Sequence, residues 1–203
     1  MLEEAIRLLR QTGVADVVDV LGCHSAVSCD IRPYVLSGCM IGPAYTVKLA
    51  PGSLSTTILA LARAKPGYVM VIDASLCGDV AVFGETFGTE GMIKKLAGFA
   101  INGYFRDLEG LHERGVPVYA RGIRLCAAAN QDIGEMEEPV NLGGVKVMQG
   151  DLVMGDKDGV AIIPSARALE IAQKAFEKKQ NAEGLAEKIR KGASLADVLG
   201  RHQ

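Results

Sequence analysis

Glu85 stands directly behind Gly84 in the run FGETFG (83–88), and the adjacent pair Arg106-Asp107 follows twenty-two positions later (107 − 85). An acid, a fixed cation and a second acid suit a small anionic ligand held together with a hard metal ion. Arginine offers a planar fork that matches a carboxylate or the oxygen pair of a keto acid. Aspartate is a hard oxygen ligand of the kind taken by Mg²⁺ or Mn²⁺, which usually keep several waters. A helix beginning at Glu85 would add unpaired backbone N–H groups and the positive end of a dipole. Gly84 leaves room for a ligand to approach the amides of Thr86 and Phe87. Each feature also has a plainer use. A first-turn glutamate stabilises a helix dipole, and an Arg-Asp pair serves as a structural ion pair at a turn. Spacing alone leaves both readings open.

The elements that would position these residues are mixed α and β. Leu2, Ile6, Leu9 and then Val14, Val17, Val18, Leu21 follow helical spacing, with a break at Gly13. Met40 to Leu49 reads as a strand with Gly42-Pro43 as an irregularity near its start. Ser53 is placed to cap a helix over Thr57 to Ala64, stopped by Lys65-Pro66-Gly67. Tyr68 to Ile72 is a short apolar run of β-forming residues ending at Asp73. A helix from about Glu85 to Leu96 and a strand at Phe99 to Asn102 follow, with Gly103 as a turn before Arg106. Strands are expected at Val116 to Ala120, Val140 to Met148, Leu152 to Met154 and Val160 to Ile163, separated by glycine and aspartate turns. Pro164-Ser165 opens a long C-terminal helix, about 165–191, with Leu169, Ala172 and Phe176 on one face and Gly192 as its stop. No composition break divides the 203 residues, so one domain is expected.

Composition narrows the function classes. Apolar residues make up 49% and charged residues 23%, a globular balance. A net charge of −2 gives no nucleic-acid footprint, and the basic residues near the C-terminus alternate with Glu170, Glu177, Glu183 and Glu187 as on a solvated helix face. No apolar run approaches the roughly 18 residues a membrane span needs. The opening MLEEAIRLLRQ is acidic and amphipathic, unlike a secretion signal. Five cysteines without a C-x-x-C pair fit free thiols in a reducing cytoplasm, and nothing near Cys23-His24 completes four metal ligands. Gly84, Gly88 and Gly91 have the wrong spacing for a nucleotide-binding turn, which argues against a methyltransferase.

Several segments together carry a family resemblance: GPAYTVKLAPG (42–52), FGE (83–85), NGYFRDLEGL (102–111), GVPVYARG (115–122) and PVNLGGVKVMQGDLVMGDKDGVAIIP (139–164). The chain resembles the family of 4-hydroxy-4-methyl-2-oxoglutarate/4-carboxy-4-hydroxy-2-oxoadipate aldolases, which also contains the regulator of ribonuclease activity A. The resemblance implies a compact β-rich core flanked by helices, of the swivelling β/β/α kind. It also implies assembly into trimers or dimers of trimers, with sites between subunits. In the aldolase branch the arginine contacts a 2-oxo acid substrate and the aspartate binds a divalent metal. The acid before the helix orients a metal-bound water, and the next two amides hold the pyruvyl carboxylate. These roles fall on Arg106, Asp107, Glu85, Thr86 and Phe87. A glutamate late in the C-terminal helix, contributed by a neighbouring subunit, is matched on helix spacing by Glu183.

The implied activity is cleavage of a 4-hydroxy-2-oxo acid to pyruvate. Oxaloacetate decarboxylation is expected as a side activity, because it passes through the same enolate. A Schiff-base mechanism would need a desolvated lysine, for which Lys48 is the candidate. The regulator branch, which binds a protein surface, is the non-catalytic alternative; it tends to lose the aspartate that this chain keeps at position 107. The chain also departs from the family pattern in two places. Tyr104 and Phe105 stand where small residues are usual, which is expected to narrow the pocket. Ile123 to Gln131 replaces a polar, proline-containing loop.

Overall fold

Pairing in the sheet follows from where apolar residues are continuous and where they alternate. The computed structural model describes residues 1–200. Strands β1 (Arg32–Val35), β2 (Met40–Lys48), β3 (Val69–Asp73), β4 (Gly98–Phe105), β5 (Val118–Ile123), β9 (Leu152–Gly155) and β10 (Val160–Ile163) form one curled path. Its order is β1-β5-β4-β3-β2-β9-β10, with β6 (Glu135–Met136) also paired to β2. The four strands β2 to β5 run parallel to their neighbours, and antiparallel pairs close both ends. All five residues of β3 are buried, as expected for an inner parallel strand covered on both faces. The two-residue period then sorts side chains: Met70 and Ile72 enter one core with Phe99 and Ile101, whereas Val69 and Val71 enter another with Ala100.

Helices α3 (Ser55–Arg63), α4 (Glu85–Ile93) and α5 (Leu108–Arg114) surround the first core, which holds Ala60, Leu61, Phe83 and Leu111. The hairpin β7 (Val140–Leu142) and β8 (Val145–Val147) covers the second. A third core lies between β9–β10 and the helices α1 (Leu2–Leu9), α2 (Val14–Leu21) and α6 (Ala168–Arg190). A short α7 (Leu195–Val198) completes the described chain. Among the described residues no helix is long and apolar enough to cross a membrane.

Most expected elements are present with shifted ends, and several shifts have a physical cause. Met40 to Pro43 pair with β9, and Ala44 to Lys48 pair with β3, so β2 gains a new neighbour just past the proline, which has no N–H. The expected irregularity is this handover. Leu54, not Ser53, precedes α3; the buried Ser53 hydroxyl instead accepts from the Ser55 and Gln131 amides and donates to the Asp132 carbonyl. Helix α4 ends at Ile93 because the chain turns through a left-handed Lys95. Gly103 is a strand residue, not a turn. A side chain there would meet the Ala74 Cβ at 2.7 Å, so close packing of neighbouring strands explains the glycine. The 140–148 segment folds as a hairpin through Gly143-Gly144. The C-terminal helix begins with a 3₁₀ turn over Ser165–Arg167, and its buried stripe is Ala168, Ile171, Ala172 and Ala175, with Leu169 and Phe176 only partly covered. β1, α5, β6 and α7 carry too few patterned residues to be read from sequence.

Two glycine substitutions separate packing from propensity. A Cβ at Gly42 would lie 2.0 Å from the backbone oxygen of Gly67, so Gly42→Ala is expected to destabilise by about 3 kcal/mol. Gly184 in α6 has open space around it, so Gly184→Ala is expected to stabilise by up to about 1 kcal/mol. Urea unfolding of the two variants should therefore move in opposite directions.

Candidate active site

The loop from β3 to α4 brings Gly84 against Asp107. Its last residues run beside β4: Val82 donates to the Tyr104 carbonyl at 2.9 Å, and the Arg106 amide donates to the Phe83 carbonyl at 3.0 Å. Residues distant in sequence thus meet at one strand exit. At Gly84 an added Cβ would lie 2.6 Å from Asp107 Oδ2, so the glycine is required by the carboxylate beside it. Asp107 itself is left-handed, at φ 63° and ψ 43°, a conformation aspartate tolerates better than most residues. That turn starts α5 and sends the carboxylate back to the head of α4. Its Oδ2 accepts the Glu85 amide at 3.3 Å and lies 3.6 Å from Arg106 Nε.

A small cleft of about 60 Å³ opens here. Its lining combines the polar Gly84, Thr86, Arg106 and Asp107 with the apolar Leu54, Ala81, Phe83, Phe87 and Ala127. Thr86 and Phe87 lie in the first turn of α4, where amides have no acceptor within the helix. Arg106 and Asp107 side chains are 45% and 44% exposed, so both remain open to a ligand. The Arg106 guanidinium also reaches the Leu125 carbonyl at 3.5 Å. That loop is fastened by the Ala81 amide on Cys126 and the Ala128 amide on Ala81.

Four of the six residues singled out from sequence therefore line one cleft: Thr86, Phe87, Arg106 and Asp107. The other two do not. Glu85 contributes its amide, but its carboxylate is turned to α5, where Arg114 Nη2 meets Oε1 at 2.5 Å. Arg114 Nε also donates to Thr89 Oγ1 at 3.2 Å, and the Glu85 carboxyl lies where a side chain on residue 110 would be, so Gly110 makes room for it. Glu183 is exposed on α6, 3.9 Å from Lys179, and α6 packs on α1 and α2 away from this cleft.

Other expectations are corrected or reduced. Phe105 is fully buried beside Tyr34, and Tyr104 lies under Arg124 at 4.1 Å facing neighbouring clefts, so neither ring narrows this pocket. Lys48 is paired with Glu135 at 3.2 Å and 41% exposed, which leaves it solvated and unsuited to Schiff-base chemistry. The apolar wall was not foreseen. Leu54, Ala81, Phe83 and Ala127 come from separate segments, and no local pattern marks them as neighbours.

The donor set suits a sparsely held hard cation. Among the described residues no three His, Cys, Asp or Glu side chains converge, so one chain offers Asp107 as a single carboxylate. Mg²⁺ is commonly held in this way, by one or two carboxylates with the remaining positions left to water and substrate oxygens. The fit is chemical: an anionic oxygen, half exposed, next to amides and a guanidinium that would hold the substrate.

Comparison with known proteins agrees with this architecture. The family model described as Aldolase/RraA matches residues 13–162. A Halalkalibacterium halodurans protein named "Putative 4-hydroxy-4-methyl-2-oxoglutarate aldolase" is 34% identical over 179 residues, covering 87% of this chain and 83% of that one. A Streptomyces coelicolor structure, described as an unusual member of the RNase ES inhibitor RraA protein family, superposes with a TM-score of 0.78 at 28% identity, covering 89% of this chain and 94% of that one. An uncharacterised Pseudomonas syringae protein shares the fold, with a TM-score of 0.89 at 21% identity over 100% of this chain and 95% of that one. With the family match spanning the strand-exit cleft and most of the sheet, the chain belongs to the Aldolase/RraA family.

Proposed function

We propose that the protein is a divalent-metal-dependent aldolase that cleaves a 4-hydroxy-2-oxo acid to pyruvate, with oxaloacetate decarboxylation as a side activity. The observation that carries this reading is the convergence of Asp107, Arg106 and the first amides of α4 on one cleft. In that arrangement the Thr86 and Phe87 amides hold the substrate carboxylate, and Arg106 holds the keto oxygen. Asp107 would hold Mg²⁺ or Mn²⁺, which would supply Lewis acidity to the bound 2-oxo acid. In the cleavage a base takes the proton of the C4 hydroxyl, the oxygen forms a carbonyl at C4, and the C3–C4 bond breaks to release that carbonyl product. The electron pair passes into the enolate of pyruvate, and C3 then takes up a proton. Arg106 stabilises the charge that grows on the enolate oxygen. Loss of CO₂ from oxaloacetate ends in the same enolate, so the same residues serve it.

Glu85 and Glu183 are the acids assigned to proton handling. Glu85 must turn from Arg114 to reach the cleft, and Glu183 must come from another copy of the chain. The shape of α6 supports the second requirement: beyond Ala175 it buries no residue, Leu185 is half covered and Ile189 is 40% exposed. An apolar extension of this kind is covered by a neighbour in an assembly, here a trimer or a dimer of trimers. The ribonuclease-regulator reading draws on the likeness to the Streptomyces coelicolor protein; retention of Asp107 favours the enzyme. A cytoplasmic setting accords with the five free thiols.

Pyruvate release from a set of 4-hydroxy-2-oxo acids and oxaloacetate, with Mg²⁺ and with chelator, tests the proposal; equal rates in both conditions would rule out metal dependence. Asp107→Asn is expected to lower turnover by about 100-fold or more while leaving unfolding unchanged, since a neutral amide is a poor ligand for a hard dication. Arg106→Lys keeps the charge without the fork and is expected to cost about 10- to 100-fold. Truncation after Lys179 should reduce turnover with the core still folded; a truncated or monomeric protein at full rate would remove Glu183 from the site.

A further inference from the structure

The two-residue period of the inner strands puts three polar side chains on the hairpin side of the sheet. Asp73 follows Val71 on β3, Asn102 follows Ala100 on β4, and Arg121 follows Tyr119 on β5; those three preceding residues lie in the core under β7 and β8. Asp73 and Asn102 are register partners at the C-terminal ends of parallel strands, where α/β sheets leave room for ligands.

The three side chains form a run of hydrogen bonds. The Asp73 carboxylate accepts from the Ser75 amide at 3.1 Å, the Asn141 amide at 3.1 Å and Asn102 Nδ2 at 3.3 Å. Asn102 Nδ2 also donates to the Asn141 carbonyl at 3.0 Å, and its Oδ1 accepts from Arg121 Nε at 2.7 Å. Asp73 is 7% exposed and Asn102 2%, so this run lies in the core and every member but the last is satisfied there. Fastening the hairpin accounts for Asp73 and Asn102. It does not account for Arg121, whose Nε is pinned while the rest of the guanidinium faces outward. Nη1 lies 3.6 Å from Asp30 Oδ2, a side chain 65% exposed and therefore a weak partner.

We propose that Arg121 anchors a second binding site, for an aromatic carboxylate, on the face of the sheet opposite the α4 cleft. Two clefts open to solvent meet there, both lined by Arg121 and Tyr104, and one of them adds Arg32 and Tyr34. With Nε held by Asn102, the two Nη groups present the parallel N–H pair that matches a carboxylate. Arg32 supplies a second cation, which has no ion pair among the described residues and touches the Cys29 carbonyl at 3.4 Å. The aromatic body follows from the tyrosines. Tyr34 is packed edge-on to the buried Phe105 with centroids 5.0 Å apart, and Tyr104 carries Arg124 against its ring at 4.1 Å, so both rings are fixed before a ligand arrives. Asp30 and Asp79 also line these clefts, which disfavours a doubly charged anion such as phosphate. This site stands independently of the aldolase reading.

Benzoate, acetate and inorganic phosphate are the probes, titrated into the full chain and followed by calorimetry and ligand-observed nuclear magnetic resonance. Benzoate is expected to bind once per chain and at least about tenfold more tightly than acetate or phosphate. Arg121→Gln should abolish that binding. Because Arg121→Gln also removes a bond to the buried Asn102, Arg32→Gln, at an exposed position on the edge strand, gives a second readout; it should weaken benzoate about three- to tenfold with unfolding unchanged. Asp107→Asn and Arg106→Lys should bind benzoate as wild type does. Benzoate bound in this way by a protein that releases no pyruvate from any hydroxy acid would sink the aldolase reading and leave this site standing. Binding lost in Arg106→Lys but kept in Arg121→Gln places the acid in the α4 cleft and overturns the proposal, as does no binding at all. Acetate or phosphate binding as tightly as benzoate overturns the assignment to an aromatic carboxylate.

Discussion

The contact between Gly84 and the Asp107 carboxylate is the constraint on which the site depends. Two segments separated by a helix and a strand must close to within van der Waals distance, and a carboxylate must fit where any other residue at position 84 would put its Cβ. The pairing of residues 81–83 with the end of β4 sets that approach. The left-handed backbone at Asp107 then aims the side chain backwards, at a cost of order 1 kcal/mol that the surrounding strand and helix hold in place. One hydrogen bond, from the Glu85 amide, fixes the carboxylate at the head of α4. The amides, the guanidinium and the acid are therefore preorganised before any ligand arrives.

The sheet is what makes this closure possible. β3 and β4 are buried inner strands, and their ends form a rigid edge from which the loops rise. Ligand sites at strand exits of parallel sheets are common because the loops there can vary while the strands do not. Here the loop after β3 leads into the first amides of α4 and supplies part of the apolar lining, and the loop after β4 supplies the charged pair. The loop after β5 closes the remaining side through Ala127. The β3–α4 connection thus carries both polar and apolar lining residues, while Ala127 comes from a separate connection.

Sequence was informative where residue type and period act locally. The run expected to be a strand at 68–72 is one at Val69–Asp73, the strand at 160–163 appears where patterning placed it, and the long C-terminal helix is present within a turn of its expected ends. Gly84, Thr86, Phe87, Arg106 and Asp107, which line one cleft, could be singled out at a helix start and a strand exit, but spacing alone left plainer structural uses open and the roles came from the family resemblance. Gly103 was misread, because a glycine packed against Ala74 looks the same in sequence as a glycine in a turn. Arg114 as the partner of Glu85, and the apolar wall, depend on contacts between distant segments and leave no trace in spacing. The stripe on α6 was misplaced by one residue for a similar reason: which face is buried is decided by α1 and α2, which it packs against.

Metal held by Asp107 is the central claim, and Mn²⁺ reports on it directly through its electron paramagnetic resonance spectrum. Titration of Mn²⁺ into the protein with oxalate, which resembles the pyruvate enolate, is predicted to show one bound ion per chain. That binding should be lost in Asp107→Asn and weakened in Arg106→Lys. Equal Mn²⁺ binding by wild type and Asp107→Asn, with or without oxalate, would contradict the account.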